Sequence, residues 1–129
     1  MNQTNKKKIL IVDDEAELRK MLRYICEDMG FEVHCVEDGQ KAFRAASQGD
    51  YDLMLLDIMM PGWDGIEAIK SLDFINKRPK VIVISGYVTD ELKKDLDLVQ
   101  NIGEFVHKPF TVEYIRQLIT KLIENEDHS

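Results

Sequence analysis

The sequence predicts an α/β fold: a five-stranded parallel sheet, doubly wound with helices on both faces. Three observations carry that expectation. Short apolar runs alternate five times with segments of helical period, the pattern of repeated βα units. Three of the runs, 8–12 (KILIV, apolar after Lys8), 53–56 (LMLL) and 81–84 (VIVI), are continuous and apolar, as expected of strands covered on both sides. Finally, a chemically matched set of polar residues stands where apolar runs give way to polar stretches, the strand edge at which open α/β sheets bind ligands.

The elements follow in order. After the strand at 8–12, Leu18, Met21, Leu22, Ile25, Cys26 and Met29 repeat at helical spacing, and Gly30 closes that helix. Residues 31–36 (FEVHCV) alternate apolar with polar, which fits a half-exposed strand at a sheet edge. A shorter helical pattern runs over 41–47, followed by the strand at 53–56 and a helix over 65–75. The strand at 81–84 leads to a helix over 90–100, where Leu92, Leu96 and Val99 share a face; Asn101, Ile102 and Gly103 end it weakly. A short fifth strand is placed at 105–107. Val112, Ile115, Leu118, Ile119, Leu122 and Ile123 form the stripe of a closing helix, with Thr111 as its N-cap. The alternating second strand and the short fifth strand both suit edges. Edges at those two places match the order 2-1-3-4-5 of flavodoxin-like (βα)5 sheets with right-handed crossovers, and in that order Asp13 and Asp14 would face Asp57 across a crevice.

Composition sets the bounds. A chain of 129 residues that is 44% hydrophobic holds one domain with a proper core, here 1–129 with tails at 1–7 and 125–129. A formal net charge of -7 argues against direct nucleic-acid binding, which needs clustered Lys and Arg. The basic run Lys6, Lys7 and Lys8 is read as a solvated tail entering the first strand. Cys26 and Cys35 lack CxxC spacing and are expected to be reduced and buried, as in a cytoplasmic protein. No signal peptide opens the chain, and no apolar run approaches the roughly 20 residues that span a bilayer, so no membrane role is expected. After the closing helix only a short acidic tail remains, with no DNA-binding or enzymatic output segment. Both a stand-alone unit and a domain cut from a longer protein fit that ending.

Five residues carry the chemistry: Asp13 and Asp14 after the first apolar run, Asp57 after the third, Ser85 after the fourth, and Lys108 before Pro109. Each alone has an ordinary role as a helix cap, a turn residue or a surface lysine. Together they gather three carboxylates, a hydroxyl and an ammonium at one end of the sheet. Carboxylate oxygens suit a hard divalent cation, and the hydroxyl and ammonium suit phosphoryl oxygens. The implied reaction is phosphoryl transfer assisted by Mg²⁺, with Mn²⁺ as an alternative ion.

The motifs ILIVDDE, LMLLDIMMPGWDG, VIVISG and FVHKPF stand in order over essentially the whole chain. In these the sequence resembles a receiver domain of a two-component response regulator, of the chemotaxis-regulator type. That resemblance implies that Asp57 accepts a phosphoryl group from a phosphohistidine on a sensor histidine kinase or a histidine phosphotransfer protein. It implies that Asp14, Asp57 and the backbone carbonyl of Met59 hold Mg²⁺, with Asp13 supporting the metal through water. Ser85 and Lys108 are implied to bind phosphoryl oxygens, the Lys108–Pro109 bond to be cis, and Phe105 to be an aromatic switch residue that turns inward as Ser85 moves. The output is implied to be a changed surface on the fourth helix, fifth strand and fifth helix, which controls an output domain or a downstream protein partner. Such a module assists only its own phosphorylation and dephosphorylation and is not otherwise an enzyme.

The chain also departs from the family's common pattern. Ser85 stands where Thr is commoner, and Gly86 follows it where Ala is usual. Phe105 lacks the hydroxyl of the Tyr common at its place, so its orientation depends on packing. Met59 and Tyr87 occupy the positions that tune hydrolysis of the phosphoaspartate. Neither offers an acid or amide to orient water, which predicts a slow clock. Trp63 follows Pro61 and Gly62 as a packed loop aromatic, and His34 and His107 are read as structural. The rival from another class is a Mg²⁺-dependent phosphohydrolase with an aspartyl nucleophile, which turnover of a small phosphoester would reveal. A phosphorylation-independent binding module is a third reading, disfavoured because every chemical residue is present.

Overall fold

The computed structural model describes residues 6–58, 65–77, 79–86, 90–95 and 102–127. Along the chain run β1 (Lys8–Val12), α1 (Ala16–Asp28), β2 (Glu32–Val36), α2 (Gly39–Gln48), β3 (Leu53–Asp57), α3 (Gly65–Phe74), β4 (Lys80–Ser85), α4 (Asp90–Asp95), β5 (Ile102–His107) and α5 (Val112–Asp127). The strands form one parallel sheet in the order β2-β1-β3-β4-β5, as the sequence predicts.

The period-2 geometry of a strand sends alternate residues to opposite faces. Here it divides the core into two clusters. Ile9 and Ile11 of β1, Leu53 and Leu55 of β3, and Ile82 and Ile84 of β4 pack against Leu22, Ile25 and Cys26 of α1 and Ile115, Leu118, Ile119 and Leu122 of α5. Leu10, Val12, Met54, Leu56, Val81 and Val83, their immediate neighbours in sequence, pack against Ala42 and Ala46 of α2 and Ile69 and Leu72 of α3. Each fully buried aliphatic side chain contributes about 1.5–3 kcal/mol. The central strands therefore fix the register at which their polar ends emerge.

Local signals act as expected at several boundaries. Gly30 adopts φ 95°, and its N–H donates to the Glu27 carbonyl at the end of α1. The Thr111 hydroxyl accepts from the Tyr114 N–H, capping α5. The Asp38 carboxylate accepts from the Lys41 N–H at 2.8 Å, so α2 begins at Gly39, ahead of the 41–47 expected. The Lys108–Pro109 peptide bond is cis.

The fifth strand differs most from its expected span. It begins at Ile102, where the sequence suggested a weak helix end, and Phe105 lies in its middle. The cause is tertiary. Pairing with β4 shifts register between Val81 and Ile82, so that Val81 aligns with Ile102 and Ile82 with Glu104, and Gly103 fills the irregularity. A Cβ on Gly103 would lie 2.9 Å from Leu122 Cδ1, so the close approach of α5 favours glycine there. At the other end, α5 continues to Asp127, into the segment expected to be a tail. Of the helix expected over 90–100, residues 90–95 are helical and 96–100 lie outside the described residues.

Cys26 is buried, and burial pushes its thiol up to about 12; Cys35 is only partly buried, packing beside Val33 against the same core cluster but on the edge strand β2, which corrects the expectation of two buried thiols. His34 stands on that same strand, its Nδ1 2.7 Å from the Tyr51 hydroxyl and its Nε2 3.2 Å from Glu32. Exposed His107 sits at the end of β5, with Nδ1 3.3 Å from the Lys108 carbonyl. Among the described residues, no helix is long and apolar enough to cross a membrane.

Candidate functional site

Three neighbouring strands end in polar residues. β1 hands the chain to Asp13, β3 ends in Asp57 and β4 ends in Ser85, and all three are buried, at 1%, 4% and 0% exposure. Carboxylates are almost never so enclosed unless paired or bound to a metal. The cation that meets them is Lys108, one residue beyond β5. Its Nζ lies 3.0 Å from Asp57 Oδ2, 3.4 Å from Glu15 Oε1 and 3.6 Å from Asp13 Oδ2. The Lys108 N–H donates to the Ser85 carbonyl at 2.8 Å, which ties the start of the β5–α5 loop to the tip of β4.

The β1–α1 loop is held from two sides. The Glu15 N–H donates to Asp13 Oδ1 at 2.8 Å, and Arg19 Nη1 donates to the Asp13 carbonyl at 2.7 Å from the first turns of α1. Asp14 is exposed between these two anchored residues. One carboxylate oxygen from each of Asp13, Asp14, Glu15 and Asp57 lies within 4.8 Å of the others. Four carboxylates thus face one ammonium, an imbalance that a divalent cation would relieve. All the donors are hard oxygens, the set preferred by Mg²⁺, so the residues fit that ion.

Electrostatics report the crowding. Burial pushes the Asp13 carboxyl up to about 6, the charges of Asp57 and Glu15 push the same way, and the Glu15 N–H and the Lys108 ammonium restrain the rise. Burial pulls Lys108 down, but its hydrogen bond to Asp57 and the charges of Asp13 and Asp57 outweigh that and hold it above the ordinary lysine value. The lysine is thus a fixed positive charge throughout the neutral range.

Asp13, Asp14, Asp57, Ser85 and Lys108, the five residues singled out in sequence, stand together at the carboxyl end of the sheet. Glu15 and Arg19 join them there, and of these two Glu15 is the third letter of the DDE motif. Phe105 is separate from the cluster: it is partly buried on β5 against the α2–α3 side of the core, with Lys93 Nζ of α4 5.8 Å from its ring centroid. Met59, Trp63 and Tyr87 lie outside the described residues.

Fold and site together define a flavodoxin-like α/β module with an acidic cluster at its strand tips. Residues 9–120 match the family described as the response regulator receiver domain, and the chain belongs to that family of two-component, phosphorelay signalling proteins. It is 35% identical over 111 residues to the transcriptional regulatory protein ResD of Bacillus subtilis, covering 86% of this chain and 45% of that one, so it spans about half the length of that relative. With the sporulation initiation phosphotransferase F of the same organism it shares 32% identity over 121 residues, covering 90% and 93% of the two chains. The response regulator protein TrrA of Thermotoga maritima, solved in complex with Mg²⁺–BeF, is 31% identical with a TM-score of 0.78, covering 90% of this chain and 98% of that one. Membership of the family is consistent with phosphorylation-dependent signalling.

Proposed function

We propose that this chain is a cytoplasmic receiver unit, switched by phosphorylation of Asp57. The observation that carries the reading is the convergence of a buried strand-tip carboxylate with a lysine at 3.0 Å and three further carboxylates. The donor is a phosphohistidine on a sensor histidine kinase or a histidine phosphotransfer protein. An Asp57 oxygen forms a bond to phosphorus as the P–N bond breaks, and the departing imidazole keeps the bonding electron pair and takes up a proton. Asp14, Asp57 and the Met59 carbonyl, supported by Asp13, would hold Mg²⁺, with Mn²⁺ able to substitute. The ion supplies charge neutralisation for the incoming phosphoryl oxygens. Lys108 binds one of those oxygens and the Ser85 hydroxyl donates to another.

The output is a remodelled α4–β5–α5 face that controls an output domain or a downstream protein, with no direct nucleic-acid or membrane contact by this unit. A phosphoryl group brings close to two negative charges and three acceptor oxygens, enough to draw Ser85 and Lys108 inward and reorient Phe105 on the neighbouring strand. The test is intact-mass analysis after acetyl phosphate and Mg²⁺, paired with amide NMR on adding beryllofluoride. One phosphoryl adduct on the wild type is expected, none on Asp57→Asn, and amide shifts reaching from Ser85 to Phe105. An undiminished adduct on Asp57→Asn overturns the acceptor assignment, and shifts confined to the surroundings of Asp57 overturn the switch.

Met59 and Tyr87 set the lifetime of the phosphoaspartate in this reading. Neither side chain can orient water through a carboxylate or amide, so hydrolysis is expected to be slow. A pulse of labelled donor followed by its removal should show faster loss of label from Met59→Asn or Tyr87→Glu than from the wild type. Loss from the wild type at least as fast as from both variants would place the control elsewhere.

A further inference from the structure

Glu15 touches the site at both ends of the residue. Its backbone N–H fixes Asp13 Oδ1 at 2.8 Å, and its side-chain Oε1 stands 3.4 Å from Lys108 Nζ across 93 residues of sequence. The side chain is 66% exposed, whereas those of Asp13 and Asp57, the other two carboxylates around Lys108, are 2% and 5% exposed. Lys108 therefore bridges an inner pair of carboxylates and one outer carboxylate at the mouth. A divalent cation drawn to the inner pair would compete with the ammonium for the same oxygens and repel it at short range. Glu15 is the partner left on the outer side, where Lys108 would remain beside the acceptor instead of swinging into solvent.

We propose that Glu15 is a positioning residue for Lys108, holding the ammonium at the mouth of the site once a divalent cation occupies the acidic cluster around Asp57. Reach matters as much as charge in this role. Glu15→Asp keeps the charge but shortens the side chain by one methylene, and Glu15→Gln keeps the length but removes the charge. The two variants separate a contact from a general electrostatic effect. The functional part rests on the proposed phosphorylation of Asp57 and on Lys108 as a ligand of the phosphoryl group; the positional part does not.

The experiment has two arms. In the Mg²⁺-loaded protein, the Lys108 side-chain ¹⁵Nζ signal, assigned by its loss in Lys108→Arg, is followed by NMR without any phosphodonor. It is expected to be protected from solvent exchange in the wild type and to lose that protection in Glu15→Asp, with thermal melts confirming that the variant remains folded. A wild-type signal in Glu15→Asp overturns the proposal, including the case in which Glu15→Gln alone loses protection, since charge without contact then suffices. In the second arm, phosphorylation from acetyl phosphate is measured at saturating Mg²⁺. Glu15→Asp is expected to slow it about threefold or more, and to have no further effect when Lys108 is already Ala, because the two residues act as one unit. Full additivity in that cycle overturns the action of Glu15 through Lys108. Retention of phosphorylation by Asp57→Asn instead counts against the acceptor assignment and leaves the first arm standing.

Discussion

The two ends of the sheet use the same residue types to opposite effect. At the amino end, Asp52 accepts from the Lys8 N–H at 2.8 Å and donates its own N–H to the Lys8 carbonyl at 2.9 Å, while Lys77 meets Asp50 at 3.1 Å with the Asp50 side chain 96% exposed. Among the described residues each of these carboxylates meets one partner from a distant part of the chain, and Asp50 lies open to water. At the carboxyl end, Asp13 and Asp57 are buried, share a single lysine and stand within 4.8 Å of two more carboxylates. The amino end closes loops. The carboxyl end stores electrostatic repulsion that a cation or phosphoryl ligand can relieve, and ligand sensitivity follows from that difference.

The largest effect expected from this contrast is a pH dependence confined to the crowded end. The Asp13 carboxyl has its pKa raised from 3.8 in the unfolded chain to about 6 in the fold, so between those values the folded state holds the proton more tightly. Its stabilising contribution is complete below pH 3.8 and is lost as pH rises to about 6, on the order of 3 kcal/mol in metal-free protein. Denaturant melts of the wild type and Asp13→Asn across that window should diverge progressively, the variant gaining relative stability toward neutral pH. Parallel curves would show that Asp13 is not strained.

A somewhat smaller gain is expected from Mg²⁺. A ligand that binds only the native state adds about 2.7 kcal/mol at a hundredfold excess over its Kd. Asp14→Ala should remove most of that gain in a thermal melt, and the wild-type gain should shrink below pH 6 as Asp13 takes up its proton. Equal responses of wild type and Asp14→Ala to Mg²⁺ would refute the site. Least of all should the amino end respond: Asp50→Ala breaks an exposed ion pair, and its melting curve with and without Mg²⁺ should superimpose on the wild type. A shift there as large as that of Asp14→Ala would erase the distinction between the two ends.

Much of the architecture is local and therefore legible in the chain. The runs KILIV, LMLL and VIVI become β1, β3 and β4, because a strand covered on both faces is apolar through its middle and admits polar side chains only at its ends. Thr111 and Gly30 mark helix ends because a hydroxyl cap and a left-handed glycine act within one turn of their own position. Asp13, Asp14, Asp57, Ser85 and Lys108 form a group legible in the sequence because parallel strands bring all their carboxyl ends to one edge.

What the sequence by itself determined, then, is the alternation of elements, the two edge strands and the set of residues at the strand tips, while the order of the inner strands came with the resemblance to the family. Only the tertiary structure decided the start of β5, where Gly103 adapts to the register shift against β4 and to Leu122 of α5. It also decided which carboxylates are enclosed, burying Asp13 and leaving its neighbour Asp14 exposed, and it brought Glu15 to Lys108 across 93 residues. The physical reason is range. Propensity, capping and period act over a few residues, whereas desolvation and charge crowding depend on every element that closes around a side chain, and no local pattern encodes that sum.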